Sequence, residues 1–401
     1  MEGVLCMEKE LSQKDLEKIE IEIIKSFNRN YIIRHAPVYT LSEVLSLKKI
    51  SDLKKICKLF SIKGYAKMEK QELIEKAKTQ IVDSPELFKD VLYILNDNEW
   101  NTFKNAIDKK YVIDNKLLYS FFIRIQSMGF LEVFYAENNQ YIVVPEEVKS
   151  LYKEIIDEDF ESEKALSNNL NKYAIAVTSI YGLITKDDFI ELFNDQNNHK
   201  IEIEDLDRIL SRFIMTDSEY LLWENFIVHS ILKDFECKFM EFNHKRNSNK
   251  PRFHPEKEEI LEFSKPNFYE NKKEMKEIKN FIFKTLKLES SIINSIIDEM
   301  YYLTTMGGTI LEIINVFDRY FINLSMDELS EATDLIINMM NNTRLWVNNG
   351  YTNMELEDLN KRPKFTLLKG NLKEETHSEP LCICGSGKKY IECCGKENEE
   401  N

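Results

Sequence analysis

Four of the seven cysteines in this 401-residue chain fall close together near its end, as Cys382-Ile-Cys384 and, after eight intervening residues, Cys393-Cys394. Thiolates are soft ligands, and four of them supply the whole tetrahedral shell of a structural Zn²⁺ site, leaving no position for a catalytic water. The spacing suits that role. Cys382 and Cys384 offer two ligands from one turn, Gly385 and Gly387 permit positive φ, and Lys388 to Glu392 is predicted to make a helical turn that returns Cys393 and Cys394. A segment of about twenty residues buries no core of its own, so ligation, worth roughly 10–16 kcal/mol in small zinc peptides, would supply most of its folding free energy. Lys388, Lys389 and Lys396 are placed to offset the negative charge of a tetrathiolate site. His377 could stand in for one thiolate, but the set is complete without it. Gly385-Ser-Gly-Lys-Lys lacks both the glycine spacing and the Ser or Thr after the lysine that a phosphate loop needs. The other cysteines, Cys6, Cys57 and Cys237, are scattered singly, as reduced thiols in a reducing compartment would be, which disfavours disulfide pairing.

The string Cys382-Ile-Cys-Gly-Ser-Gly-Lys-Lys-Tyr-Ile-Glu-Cys-Cys-Gly395 resembles the SEC-C motif, the zinc-binding tail of the bacterial secretion ATPase that also closes many otherwise unrelated bacterial proteins. It departs from that pattern at Ile383, where proline is usual, which loosens the turn without touching a ligand. In the secretion ATPase the tail engages a chaperone and the ribosome. The resemblance therefore implies a docking module, and it covers about 14 residues.

A second set of residues with chemical potential is cationic. Between Leu41 and Ile81 ten lysines stand against five acids, a local excess of five positive charges, and Lys63, Lys67 and Lys70 surround the Ile-Lys-Gly64-Tyr turn, where they could contact phosphates. An equal reading makes those lysines the solvated face of a structural module. The string from Asp52 to Glu75 resembles the SAP-like fold, in particular the amino-terminal module of transcription termination factor Rho. The likeness rests on the Ile-Lys-Gly-Tyr turn, the Lys-Met-x-Lys step and the Glu-Leu-Ile start of the second helix.

The elements that must carry these sites are mainly helical. Only 11 Gly and 8 Pro, with 43% hydrophobic and 31% charged residues, predict long helices in several domains. Residues 1–40 hold an N-terminal helix opened by Ser12-Gln-Lys-Asp15. Residues 41–84 form the SAP-like module, two short helices with Gly64 at a helix end. Residues 85–155 read as helices around Leu87–Leu95, Trp100–Ile107 and Leu117–Met128, then alternating runs Phe130–Tyr135 and Gln140–Val144, the order of a winged helix. Residues 156–243 repeat it faintly, with a helix Leu170–Tyr181, a Thr185-Lys-Asp-Asp188 cap, a helix Ile203–Ile214, and a hairpin from Glu219–Trp223 and Phe226–His229. The polar stretch 244–256 reads as a linker and 257–360 as a helical bundle broken at Met306-Gly-Gly308 and Asn323–Met326. Residues 361–380 read as a flexible tether to the knuckle at 381–395. The expected fold class is thus mainly α: multidomain and helical, with small winged-helix-like β-hairpins and a C-terminal zinc knuckle.

Composition bounds function as well. A net charge of −15 opposes nonspecific binding of nucleic acid by the whole chain. The third helix of the first winged-helix-like unit offers only Lys116 and Arg124 as cations, so base reading by insertion is poorly supported and a scaffold role is favoured. Arg344 and Trp346 could anchor a partner, though an internal role is favoured. The longest apolar stretch, Tyr173 to Ile184, is too short and too interrupted to span a membrane. No basic-then-apolar segment opens the sequence, which predicts no secretory leader and a cytoplasmic protein. The six histidines are dispersed, no catalytic motif recurs, and acidic clusters such as Asp157-Glu158-Asp159 read as solvated faces. The expectation is a non-enzymatic adaptor with Zn²⁺ held by Cys382, Cys384, Cys393 and Cys394, docking to a protein or ribosomal partner. The alternative is a nucleic-acid-binding regulator using Lys63, Lys67 and Lys70. The sequence leaves oligomeric state open.

Overall fold

The computed structural model describes residues 12–214, 218–232 and 251–361. Seventeen α-helices and two three-stranded antiparallel sheets make these residues mainly helical. Helix α1 (Gln13–Asn28) begins at Ser12, whose hydroxyl accepts from the Asp15 N–H at 3.3 Å. Helix α2 (Leu41–Leu47) opens on a reciprocal Thr40–Glu43 box, satisfying two N–H groups that the first turn would otherwise orphan. Helices α3 (Ile50–Leu59) and α4 (Lys70–Val82) bury Leu53, Ile56, Cys57, Leu73, Ile74 and Ala77, the apolar positions that recur at helical spacing. Gly64 does not end the first of them. The helix closes earlier, because Ser61 takes positive φ (55°) and the Ile62 N–H returns to the Cys57 carbonyl at 2.9 Å, while Gly64 (φ 79°) heads a short 3₁₀ turn, Tyr65–Lys67.

The next stretch runs α5 (Pro85–Ile94), α6 (Asp97–Ile107), β1 (Val112–Ile113), a 3₁₀ turn at Tyr119–Phe121, α7 (Ile123–Ser127), β2 (Glu132–Ala136), β3 (Asn139–Val143) and α8 (Glu146–Ile155). The hairpin sits in the expected register, Val133 opposite Ile142, but a third strand joins it, giving the order β1-β3-β2. The long third helix expected over Leu117–Met128 is instead the 3₁₀ turn followed by five helical residues. The pattern then repeats with α9 (Phe160–Tyr181), β4 (Leu183–Thr185), α10 (Lys186–Gln196), α11 (Ile203–Ile214), β5 (Tyr220–Trp223) and β6 (Phe226–His229), in sheet order β4-β6-β5. Thr185 caps α10 through the Asp188 N–H at 3.1 Å.

Six more helices follow: α12 (Lys257–Phe263), α13 (Lys273–Leu286), α14 (Ser290–Thr305), α15 (Ile310–Arg319), α16 (Met326–Asn342) and α17 (Asn353–Lys361). The breaks before α15 and α16 fall at Gly307-Gly308 and Asn323–Ser325, as the sequence indicates. Residues through Glu355 belong to one compact unit, and the last described residues, from Leu356, belong to another.

Two large apolar cores organise the first unit. One gathers side chains from Leu41 to Phe160, so α2 to α8 share an interior. The other runs from Leu170 to Met339 and joins the second sheet's helices to the bundle. Helix α9 serves both. Its first residue, Phe160, stacks on Tyr93 with centroids 4.8 Å apart, and its second half, Leu170 to Tyr181, is the spine of the other core. Lys164 on the same helix is 4% exposed and donates to the carbonyls of Leu92 (2.8 Å) and Leu95 (2.7 Å), closing the C-terminal end of α5. At the other end of α9, Gly182 (φ 74°) lies against Trp346, and a Cβ there would come within 2.6 Å of the indole.

Candidate functional site

The cysteines proposed as ligands, Cys382, Cys384, Cys393 and Cys394, lie outside the described residues, as do His377 and the tether at 362–380. Four thiolates remain a full donor set for zinc on chemical grounds. Among the described residues no group of three or more His, Cys, Asp or Glu side chains converges as a metal site would require, and Cys57 is a buried free thiol whose burial pushes its pKa up.

The lysine turn is described, and its three cations separate into two kinds. Lys63 and Lys67 are exposed on either side of Gly64, without an ion pair among the described residues. Lys70 is partly buried, and its ammonium donates to the Ser46 carbonyl at 2.6 Å, tying the start of α4 to α2. One of the three lysines therefore works internally.

The cations beside the two hairpins are also engaged. Arg124 on α7 donates to the nearly buried Glu99 at 3.0 Å. Lys116 pairs with Glu17 (3.1 Å) and Glu20 (3.0 Å) of α1. On α11, Arg208 binds Glu163 and Asp205, and Arg212 reaches Asp90 at 2.7 Å and Glu163 at 2.9 Å while lying over the Tyr93 ring. The first turn of α11 carries Glu204 and Asp205, a negative field where a groove-reading helix would need the opposite sign.

A cleft of about 470 Å³ opens among the described residues. Its walls come from three places far apart in sequence: the strap Arg29–Arg34 after α1, the α2–α3 junction with Lys48, Lys49, Asp52 and Lys55, and the α7–β2 segment with Gln126 and Glu132. At its base Glu132 is fully buried on a strand otherwise lined with Val133 and Phe134, and it is held by three donors. The Lys48 ammonium, itself 8% exposed, and the Gln126 amide both bond its carboxylate, and its own neighbour Val133 N–H adds a third bond at 3.1 Å. Gln126 also donates to the Tyr31 carbonyl at 2.6 Å, so the strap, α2 and the first sheet are fastened through one carboxylate. A buried carboxylate is tolerated only with such a set of donors.

Above that base the cations have less to answer them. Lys55 pairs with Asp52 at 3.3 Å near solvent. Arg29, Arg34 and Lys49 are exposed and have no ion pair among the described residues. Lys49 is also the N-cap residue of α3, which has no side-chain cap. Tyr31, on the cleft wall, stacks on Tyr119 with centroids 4.6 Å apart and planes 8° from parallel, and both rings are more than a third exposed. No sequence motif marks this cleft. The available signals are Glu132 inside the apolar run Phe130–Tyr135 and Gln126 inside the apolar segment before it.

Two titratable groups away from the cleft are strongly perturbed. Burial pushes the Lys164 ammonium down to about 8 and the His229 imidazole down to about 4. His229 packs between Trp346 and Tyr302, and its Nδ1 accepts from the Ile231 N–H at 3.2 Å. Arg344 lies 3.4 Å from the Phe253 ring centroid and pairs with Glu355 at 3.0 Å, and the Trp346 indole donates to the Ser179 carbonyl at 2.9 Å. Both residues hold the interior together. No protein-family model, curated protein or solved structure matches the chain. Among the described residues no helix is long and apolar enough to cross a membrane.

Proposed function

We propose that this protein is an adaptor, a helical body that carries a C-terminal zinc knuckle and docks it onto a protein or ribosomal partner. The observation that supports the body's role is the internal pairing of Lys116, Arg124, Arg208 and Arg212. Each of the two sheets is built as strand, helical segment, helix and hairpin, with the first strand beside the last, an order that supports the winged-helix reading. Such units insert a helix into DNA when its cations are free. Here those cations brace neighbouring elements, which suits a scaffold. The knuckle, with Cys382, Cys384, Cys393 and Cys394 around zinc, is the second arm. The intervening residues would raise its local concentration near a partner that the body already holds.

The exposed pair Lys63 and Lys67 favours the second reading, a nucleic-acid-binding regulator acting through the SAP-like module at 41–84. The two readings part on salt. Capture of ribosomes or of a defined protein from native cytosol should need residues 381–395 and resist added salt. If capture is instead independent of those residues, falls steeply with salt and vanishes in the Lys63→Glu/Lys67→Glu variant, the adaptor reading fails and the regulator stands.

A further inference from the structure

We infer that the cleft between the Arg29–Arg34 strap, the α2–α3 junction and the α7–β2 segment binds a nucleoside phosphate. This inference is independent of the adaptor reading. On a chain with a net charge of −15, three cations without an ion pair, Arg29, Arg34 and Lys49, line one cavity. They form no ion pair with an acid of the described residues, so their charge is open to an anion that enters the cleft. Lys48 is not among them, because Glu132 already occupies it. That pair and the bonds of Gln126 fix the base of the cleft and hold the strap, so the cations stand on a prearranged wall. Two guanidinium groups and one ammonium form a donor set for the oxygens of a phosphate. A cavity of about 470 Å³ is far larger than a bare phosphate requires and lies within the range of small-molecule sites. Tyr31, which lines the cleft with its exposed ring braced by stacking on Tyr119, gives a planar group something to lie against, as base-binding sites do. Cations and an exposed aromatic ring lining one cleft select a ligand that carries both charge and a planar group, as a nucleotide does and a simple phosphate ester does not.

The test is calorimetric titration of the full chain with AMP, with inorganic phosphate and with pyrophosphate at low salt. AMP should bind saturably and more tightly than inorganic phosphate. Arg34→Ala combined with Lys49→Ala, both exposed positions, should weaken AMP and pyrophosphate roughly tenfold to a hundredfold, and Arg34→Lys should recover only part of the loss. Tyr31→Ala should weaken AMP alone and leave pyrophosphate unchanged. Circular dichroism of each variant confirms that the fold is retained. The inference is overturned if none of the three ligands gives a saturable signal up to about 5 mM. It is equally overturned if AMP binding survives Arg34→Ala/Lys49→Ala, or if a single-stranded oligonucleotide binds at the cleft and AMP does not compete with it.

Discussion

The Glu132 carboxylate and the Lys48 ammonium are the most deeply buried ion pair among the described residues, at 0% and 8% exposure, and their coupling is measurable. Lys48→Met leaves the carboxylate buried with two neutral donors, Gln126 and Val133 N–H. Breaking a buried pair on one side costs about 3–5 kcal/mol, and the two remaining donors put this case at the lower end, about 3 kcal/mol. Glu132→Gln keeps one carbonyl oxygen for the ammonium but strands its charge, again at about 3 kcal/mol. The double variant removes both charges and keeps at residue 132 an oxygen that accepts from the Gln126 amide, so it should cost about 3–4 kcal/mol where independent sites would sum to about 6. Urea unfolding followed by circular dichroism reads this directly. With a slope of about 2 kcal/mol per molar, each single variant should lower the midpoint by about 1.5 M. If Lys48→Met costs under about 1 kcal/mol, or if the two changes add within about 0.5 kcal/mol, the carboxylate is not a fastening point and the account of the cleft base is wrong.

Other expectations follow from the same geometry. The folded chain should release the Lys164 proton near pH 8, whereas the unfolded chain keeps it to about 10.5, so between these values the unfolded state binds more protons and stability should rise with pH. Relative to Lys164→Met, the gain should approach about 3 kcal/mol, and a flat difference across that window would show that the ammonium is not buried as described. Elemental analysis should find one zinc per chain, lost when Cys382 and Cys393 are both changed to Ser, and full metal in that variant would refute the ligand assignment. Gly182→Ala should destabilise by about 2 kcal/mol or more in thermal unfolding, since its positive φ and the Trp346 ring both oppose a Cβ. Lys70→Met should cost about 1 kcal/mol through the lost bond to Ser46, whereas Lys63→Glu should leave stability nearly unchanged.

The helices marked by both an apolar period and a cap were the most legible part of the sequence, whereas the expected start at Leu170 lies ten residues inside α9 and the two helices expected over 41–84 are three. The helix from Ile203 to Ile214, before the second hairpin, and the cap Thr352–Glu355, whose Glu355 N–H meets the Thr352 hydroxyl at 3.1 Å, are where apolar period and capping chemistry place them. The third strand of each sheet was hidden. Val112–Ile113 is too short to show a period of two, and Leu183–Thr185 continues the apolar run of α9 past Gly182, so periodicity alone merges it with the helix. The segment Leu117–Met128 misled for a related reason: its apolar residues face one core whether the backbone is α or 3₁₀, and Tyr119–Phe121 tightens to the latter. The cleft was invisible because its walls are separated by up to about a hundred residues, and only tertiary folding brings Arg34, Lys49 and Gln126 together. Lys63 and Lys70 look equivalent as letters, yet one is solvated and the other latches two helices.

Helix α9 gives the two cores a common axle. Twenty-two residues make a rod of roughly 33 Å, keyed at one end by Phe160 and Lys164 and at the other by Tyr181 beside Gly350. A fragment severed just before Phe160 would leave Tyr93 without its stacking ring and the end of α5 without its ammonium, so neither half is a self-sufficient part for evolutionary shuffling. The two cores are thereby coupled through one continuous helix, and a change at Phe160 or Lys164 bears on the same element that carries Tyr173 and Tyr181.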